Sequence, residues 1–238
     1  MFSQLARWGS SQPLSPAFRE ILWRQAEVPS APVPKPDFQV GLSVGQGSQP
    51  SGVAVLERLK PECPGGSRSF ACRYLRRWLS PATGYPVLFS DLTDIFREAP
   101  LRGSDLVVEA GPGIKAVKAF LRKNRLPAHI RPVEVRVSAE DECVDGLWKV
   151  TKASLIETTR QILQEGRLVF DERMPPEVMA TTPSAQTIYH ALSTYPYNKT
   201  PAANDAFASR ENTDDDLVLA VTLACWFGER CRRTLWIL

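Results

Sequence analysis

Hydrophobic positions change their spacing several times along the chain, and each change marks an element. Phe38–Val44 and Gly52–Leu59 are short runs rich in branched and aromatic side chains. Between them lies Gly45-Gln-Gly-Ser-Gln-Pro-Ser51, a turn-rich link, so the two runs predict a β-hairpin. Arg68–Leu79 alternates Phe70, Cys72 and Tyr74 with polar neighbours and reads as a third, antiparallel strand. The spacing then becomes helical. Pro86–Glu98 gathers Val87, Phe89, Leu92, Ile95 and Phe96 onto one face. Asp105–Ala110 is strand-like and ends in Gly111-Pro-Gly113, where Pro112 suits the first position of a helix. That helix turns Ile114, Val117, Phe120 and Leu121 inward and Lys115, Lys118, Arg122 and Arg125 outward. Ile130–Val137 is a further strand, Thr151–Glu165 a helix stopped by Gly166, and Leu168–Phe170 a short strand. Residues 171–210 show no clear period. Asp214–Asp216 then open a last helix whose acidic start and basic end both suit the helix dipole.

Three consecutive strands followed by alternating helices and strands predict an α/β fold: a mixed sheet, its first three strands antiparallel, flanked by α-helices. Residues 1–36 break the pattern. Pro13, Pro16, Pro29, Pro32, Pro34 and Pro36 fall there, and alternating prolines favour an extended chain that cannot join a central sheet. The expectation is a proline-rich arm over 1–36, with one amphipathic helix at Pro16–Glu27, and a single domain over 37–238.

Composition narrows the function classes. Lys plus Arg number 29 and Asp plus Glu 26, a net +3, which excludes a histone-like polycation and an acidic disordered tail. The 5 cysteines include no C-x-x-C pair and the 2 histidines are far apart, so neither a zinc site nor a disulfide framework is expected. The longest apolar run, Leu217–Phe227, is about half of what a membrane helix needs. These features predict a soluble cytoplasmic protein. No G-x-x-x-x-G-K-[ST] phosphate loop occurs in the sequence.

The residues able to carry chemistry are acids at element ends. Glu109 closes the apolar strand Leu106-Val-Val108, where a charge is costly to bury unless it is paired or metal-bound. Asp215 and Asp216 immediately precede a core-facing stripe. Taken singly, helix capping and a solvated strand end explain these acids more simply. Together they are a set of hard oxygen donors of the kind Mg²⁺ uses. Lys115, Lys118 and Arg122 follow Glu109 closely, either as a solvated helix face or as contacts to a phosphate backbone. Arg73, Arg76 and Arg77, with Tyr74 and Trp78, form a second basic and aromatic patch, equally readable as an edge strand.

Val40-Gly-Leu-Ser-Val-Gly-Gln46 with Pro50-Ser-Gly-Val-Ala-Val-Leu-Glu57, Leu106-Val-Val-Glu-Ala-Gly-Pro-Gly113, Trp148-Lys-Val-Thr-Lys152, Leu163-Gln-Glu-Gly-Arg-Leu168 and Asp215-Asp-Leu-Val-Leu-Ala220 occur in that order. In order and spacing the chain resembles the C-terminal nuclease domain of phage terminase large subunits over roughly residues 38–230. The resemblance implies a ribonuclease-H-like fold and a phage-derived DNA-packaging hydrolase in a bacterial host cell. It also implies Mg²⁺ or Mn²⁺, one or two ions, held by acids. Carried over, Glu109, Asp215 and Asp216 are the implied catalytic and metal-binding acids, and Lys152 an implied phosphate contact. The implied partners are double-stranded DNA and a separate packaging ATPase or another terminase subunit; no membrane is implied.

One position departs from the pattern. Family members resemble V-G-x-D-x-G-Q where this chain has Ser43 in place of the acid. A neutral hydroxyl is a poor ligand for Mg²⁺ and offsets none of its charge. Two functions therefore stay open from sequence: a metal-dependent endodeoxyribonuclease weakened or inactivated at Ser43, and a non-catalytic DNA- or partner-binding module with a degenerate nuclease fold. A junction-resolvase- or transposase-like activity is a third.

Overall fold

The computed structural model describes residues 37–45, 49–59, 66–78, 86–98, 100–109, 114–123, 127–136, 140–170, 185–194 and 215–230. The proline-rich arm with its Pro16–Glu27 helix, and most of 171–210, lie outside them.

Among the described residues, eight strands form one mixed sheet. They are β1 (Asp37–Ser43), β2 (Ser51–Leu59), β3 (Ser69–Trp78), β4 (Asp105–Glu109), β5 (His129–Arg136), β6 (Glu142–Val144), β7 (Leu147–Thr151) and β8 (Leu168–Phe170). Their order across the sheet is β6-β7-β5-β4-β1-β2-β3-β8. β1, β2 and β3 pair antiparallel, as the sequence pattern predicts. β4 and β5 then add in parallel on the other side of β1, each reached through a crossover helix. The helices are α1 (Pro86–Arg97), α2 (Ile114–Lys123), α3 (Lys152–Gln164), α4 (Ala185–Thr194) and α5 (Asp215–Arg230).

The central strands β1, β2 and β4 bury alternate residues on opposite faces. Phe38, Val40, Leu42, Leu106 and Val108 meet α1 through Leu88, Phe89, Leu92, Ile95 and Phe96. Phe120 of α2 joins this layer by stacking on Phe89, centroids 4.2 Å apart. The other face carries α3, α4 and α5, with Ala54, Leu56, Phe70 and Leu75 packed on Leu217, Val218, Val221 and Ala224. Val107, Val133 and Val150 meet Leu155, Leu223, Trp226 and Phe227 on the same side. β1 and β2 are therefore covered on both faces, which is why they read as near-continuous apolar runs.

α5 lies unusually close to β1. A Cβ at Gly41 would overlap the Ala220 carbonyl, and one at Gly228 would overlap the Gln39 side chain. Gln39 is fully buried there, and its amide finds no hydrogen-bond partner among the described residues. The contacts run Asp216 over Gly52, Ala220 over Gly41, Gly228 over Gln39, so α5 travels antiparallel to β1.

Two elements escape the sequence pattern. The β6–β7 hairpin turns at Asp145 and Gly146, both in the left-handed region (φ 52° and 78°), as a two-residue turn of this kind requires. Its strands are too short to show a period, although Asp-Gly between short apolar runs is itself a hairpin signal. α4 buries Ile188 and Leu192, one helical turn apart, and little else. The helix expected from Thr151 begins one residue later, because Thr151 ends β7 and caps α3 by accepting from the Ser154 N–H. No helix among the described residues is long and apolar enough to cross a membrane.

The close approach at Gly41 sets a first test. Gly41→Ala is expected to push α5 off the sheet and to cost about 1–3 kcal/mol. A urea titration would read this as a lower midpoint with an unchanged slope.

Candidate functional site

The C-terminal end of β4 and the start of α5 meet at one end of the sheet. β1 and β4 run parallel with Leu42 beside Val108, so Ser43 and Glu109 end the two strands side by side. Across the other edge of β1, Ser43 pairs with Gly52 of β2, and Gly52 pairs with Arg77 of β3. Glu109, Ser43, Gly52 and Arg77 thus form one row across four neighbouring strands, each about 4.8 Å from the next. All four belong to the face that α5 covers.

The first turn of α5 sits on this row. A Cβ at Gly52 would stand 2.8 Å from the Asp216 carbonyl carbon and oxygen and 2.9 Å from Oδ2. Only glycine lets the helix start come so near the strand. Asp216 is buried and grips Arg77 with both carboxylate oxygens. Arg77 Nε donates to Oδ1 and Oδ2 at 3.1 and 3.0 Å, and Nη2 donates to Oδ1 at 2.6 Å. The side chains are 6% and 5% exposed, so this is a desolvated, forked ion pair.

Glu109 is half-buried at the other end of the row. Burial pushes its carboxyl above the ordinary value, and the Lys152 ammonium opposes that push only in part. Lys152 reaches the site because β7 runs directly into α3 and places it as the first helical residue. One amide of that helix start, the Ser154 N–H, is already capped. Thr151 Oγ1 accepts from the Ser154 N–H, and Asp141 accepts from the Thr151 N–H and the Ser154 hydroxyl at 3.1 and 2.5 Å. Asp141 also pairs with Arg230 of α5 at 2.9 Å, tying the two helices together.

The sequence-predicted residues are therefore partly assembled. Glu109, Ser43, Asp216 and Lys152 converge, and the Asp215 backbone opens α5 beside them, its side chain lying outside the described residues. Lys115 is exposed and Lys118 half-buried on α2, which packs on the opposite face of the sheet from α5. The Arg122 side chain lies outside the described residues.

The second basic patch is consumed by acids. Arg73 pairs with Glu57 at 2.6 Å, Arg76 with Asp91 at 3.0 Å, and Arg77 with Asp216. Trp78 also donates to Asp91 at 2.7 Å. The partners lie on other strands and helices, so no local spacing in the sequence announces them. The sequence marks Arg77 only as one member of that basic patch, and nothing in it announces the pairing with Asp216.

Two divalent ions do not fit these side chains. The position between Glu109 and Gly52 carries a hydroxyl, and Asp216 spends both oxygens on Arg77. Among the described residues no group of three or more acids, histidines or cysteines could hold a metal ion.

Two tests follow from this geometry. The folded chain holds the Glu109 proton more tightly than the unfolded chain, so Glu109 weakens folding as pH rises from its ordinary value (4.5) through its raised one. Glu109→Gln should melt about 1–3 °C above the wild type at neutral pH, with the gap closing below about pH 4. For the ion pair, Asp216→Asn leaves a buried guanidinium uncompensated and should cost about 3–5 kcal/mol. Arg77→Met with Asp216→Leu should recover most of that, and a double-mutant cycle by chemical denaturation would measure the coupling.

No family model and no curated protein sequence matches the chain. Solved structures do. The large terminase nuclease from thermophilic phage G20c aligns with a TM-score of 0.51 and 17% identity, covering 80% of this chain and 82% of that one. The human cytomegalovirus terminase nuclease domain, soaked with manganese, aligns with a TM-score of 0.46 and 11% identity, covering 91% and 96%. With β1–β3 antiparallel, β4 and β5 parallel beside β1, and helices on both faces, the protein has the ribonuclease-H-like fold of a large-terminase nuclease domain.

Proposed function

We propose that the protein is a DNA-acting domain of terminase-nuclease type whose phosphodiester-cleaving site is degenerate, so that it engages duplex DNA with weak or no cleavage. The observation that carries this reading is Ser43. It stands in the middle of the row, between Glu109 and the Gly52–Asp216 contact, where the resemblance expects an acid. In-line displacement at a phosphodiester needs its developing charge neutralised, and divalent ions supply that when carboxylates hold them. Here Glu109 and Asp215 remain as acids of that set, and Asp216 is held by Arg77.

What the chain's own residues still offer is phosphate recognition. Lys152 stands beside Glu109, and Lys115 and Lys118, with Arg122 next on the same helix, follow the end of β4. Cations so placed would track a backbone without reading sequence. Lys152 at the α3 start is the cationic phosphate contact proposed there, with Asp141 occupied by the Thr151 N–H and the Ser154 hydroxyl. Duplex DNA is thus the proposed ligand. A separate packaging ATPase or another terminase subunit is the proposed protein partner.

Fluorescence anisotropy on a short labelled duplex, with plasmid nicking alongside, tests the reading. Affinity should fall steeply with salt, by about one logarithmic unit per logarithmic unit of salt for each phosphate contacted. Lys115→Glu with Lys118→Glu should weaken binding about tenfold or more. Plasmid should stay intact or be nicked only slowly with Mn²⁺ or Mg²⁺. Rapid cleavage would show that the site is not degenerate, and absence of binding at low salt would turn the proposal towards a purely protein-binding role.

A further inference from the structure

Ser43 accounts for one missing ligand, but it leaves unexplained why a buried carboxylate at Asp216 is tolerated. We infer that the Arg77 guanidinium is the resident cation of this site: it takes the position beside Asp216 that a divalent ion would need, and excludes one independently of Ser43. This rests on the terminase-type reading of the site and explains how the chain closes it.

The charges on the row show why the two changes belong together. Among the described side chains, Asp216 is matched by Arg77 and Glu109 lies beside Lys152, while Ser43 between them is neutral. Asp215 stands outside this sum, its side chain lying outside the described residues. The described charges pair off without a metal, and an acid at 43 would add a negative charge with no described cation to match it.

Arg77 is suited to this task in ways that a surface arginine is not. It projects from β3 on the face covered by α5, directly across from Gly52, and is almost wholly buried. Its fork uses both oxygens of Asp216, so no carboxylate oxygen is left without a guanidinium donor. On the strand side, the absence of a Cβ at Gly52 makes room for this carboxylate, since a Cβ there would stand 2.9 Å from Oδ2. A guanidinium keeps its charge at every accessible pH and loses less freedom per hydrogen bond than an ammonium, so it holds a planar carboxylate well. The neighbouring arginines cannot exchange with it: Arg76 holds Asp91 and Arg73 holds Glu57.

Restoring the acid at position 43 is therefore not enough to restore a metal site. Mn²⁺ binding, followed by calorimetry and by thermal melting, tests this on the full chain. Wild type and Ser43→Asp should show no site tighter than millimolar and no Mn²⁺-dependent melting shift. Ser43→Asp combined with Arg77→Gln should fold less stably, should be rescued by Mn²⁺, and should bind it at least about tenfold more tightly than Ser43→Asp alone. Equal Mn²⁺ affinity in Ser43→Asp and the combined variant would overturn the inference, as would a folded combined variant that binds none. The wild type supplies a measurement that depends on no variant folding. The ion-paired Arg77 Nε–H should give a resolved NMR signal that Mn²⁺ leaves sharp, and its selective broadening would also overturn the inference. DNA anisotropy reports separately: if DNA binding fails while these metal results hold, the terminase-type DNA reading falls and the Arg77 assignment stands.

Discussion

The molecule is organised by how closely the backbone of α5 can lie on β1 and β2. Gly41, Gly52 and Gly228 remove the side chains that would hold the layers apart, and Ala54, Ala220 and Ala224 keep the rest of the contact small. Most helices pack on sheets through large side chains at about 10 Å. Here the helix carbonyl of Ala220 comes into contact distance of a strand Cα. That proximity delivers Asp216 onto the end of the sheet. It also buries Gln39, whose side-chain amide finds no partner among the described residues.

Electrostatic pairing then fixes what close packing permits. The arginines of β3 reach to different layers: Arg73 within the sheet to Glu57, Arg76 to α1 through Asp91, Arg77 to α5 through Asp216. Arg167 does the same at the other end, joining the β3 side through the Arg68 carbonyl (2.6 Å) to α5 through Glu229 (2.9 Å). Buried pairs of this kind add little net stability compared with apolar residues of similar size. Their effect is to set register and helix position, since a shift by one residue would strand a charge.

The fold was largely legible in the sequence because its strands and helices are covered on defined faces. The helical spacing of Leu92, Ile95 and Phe96 is a direct imprint of burial, whereas the alternation in Arg68–Leu79 runs across a bulge, so that Phe70 and Cys72 face α5 and Tyr74 faces α1. The β6–β7 hairpin and α4 left fainter marks, one too short for a period and the other anchored by two residues. At the site, Glu109 and Asp216 could be picked out as acids against apolar runs, and Ser43 as a departure from an expected pattern. Arg77 could not, because an ion pair spanning distant segments depends on which strands become neighbours. Arg76 and Arg77 face opposite sides of the sheet, towards α1 and α5, and the bulge opposite Val55 and Leu56 decides which side each one meets.

The Arg77–Asp216 pair joins residues separated by 139 positions, and that separation governs how the chain can fold as it is made. At ribosomal speeds of about 5–20 residues per second, β3 emerges on the order of 10 s before the helix that neutralises it. Until α5 is made, the side of β1 and β2 that it covers lacks this helix, and Arg77 lacks Asp216. The positive charge that later locks the last helix can meanwhile act as a gatekeeper, discouraging the bare strands from pairing with another chain.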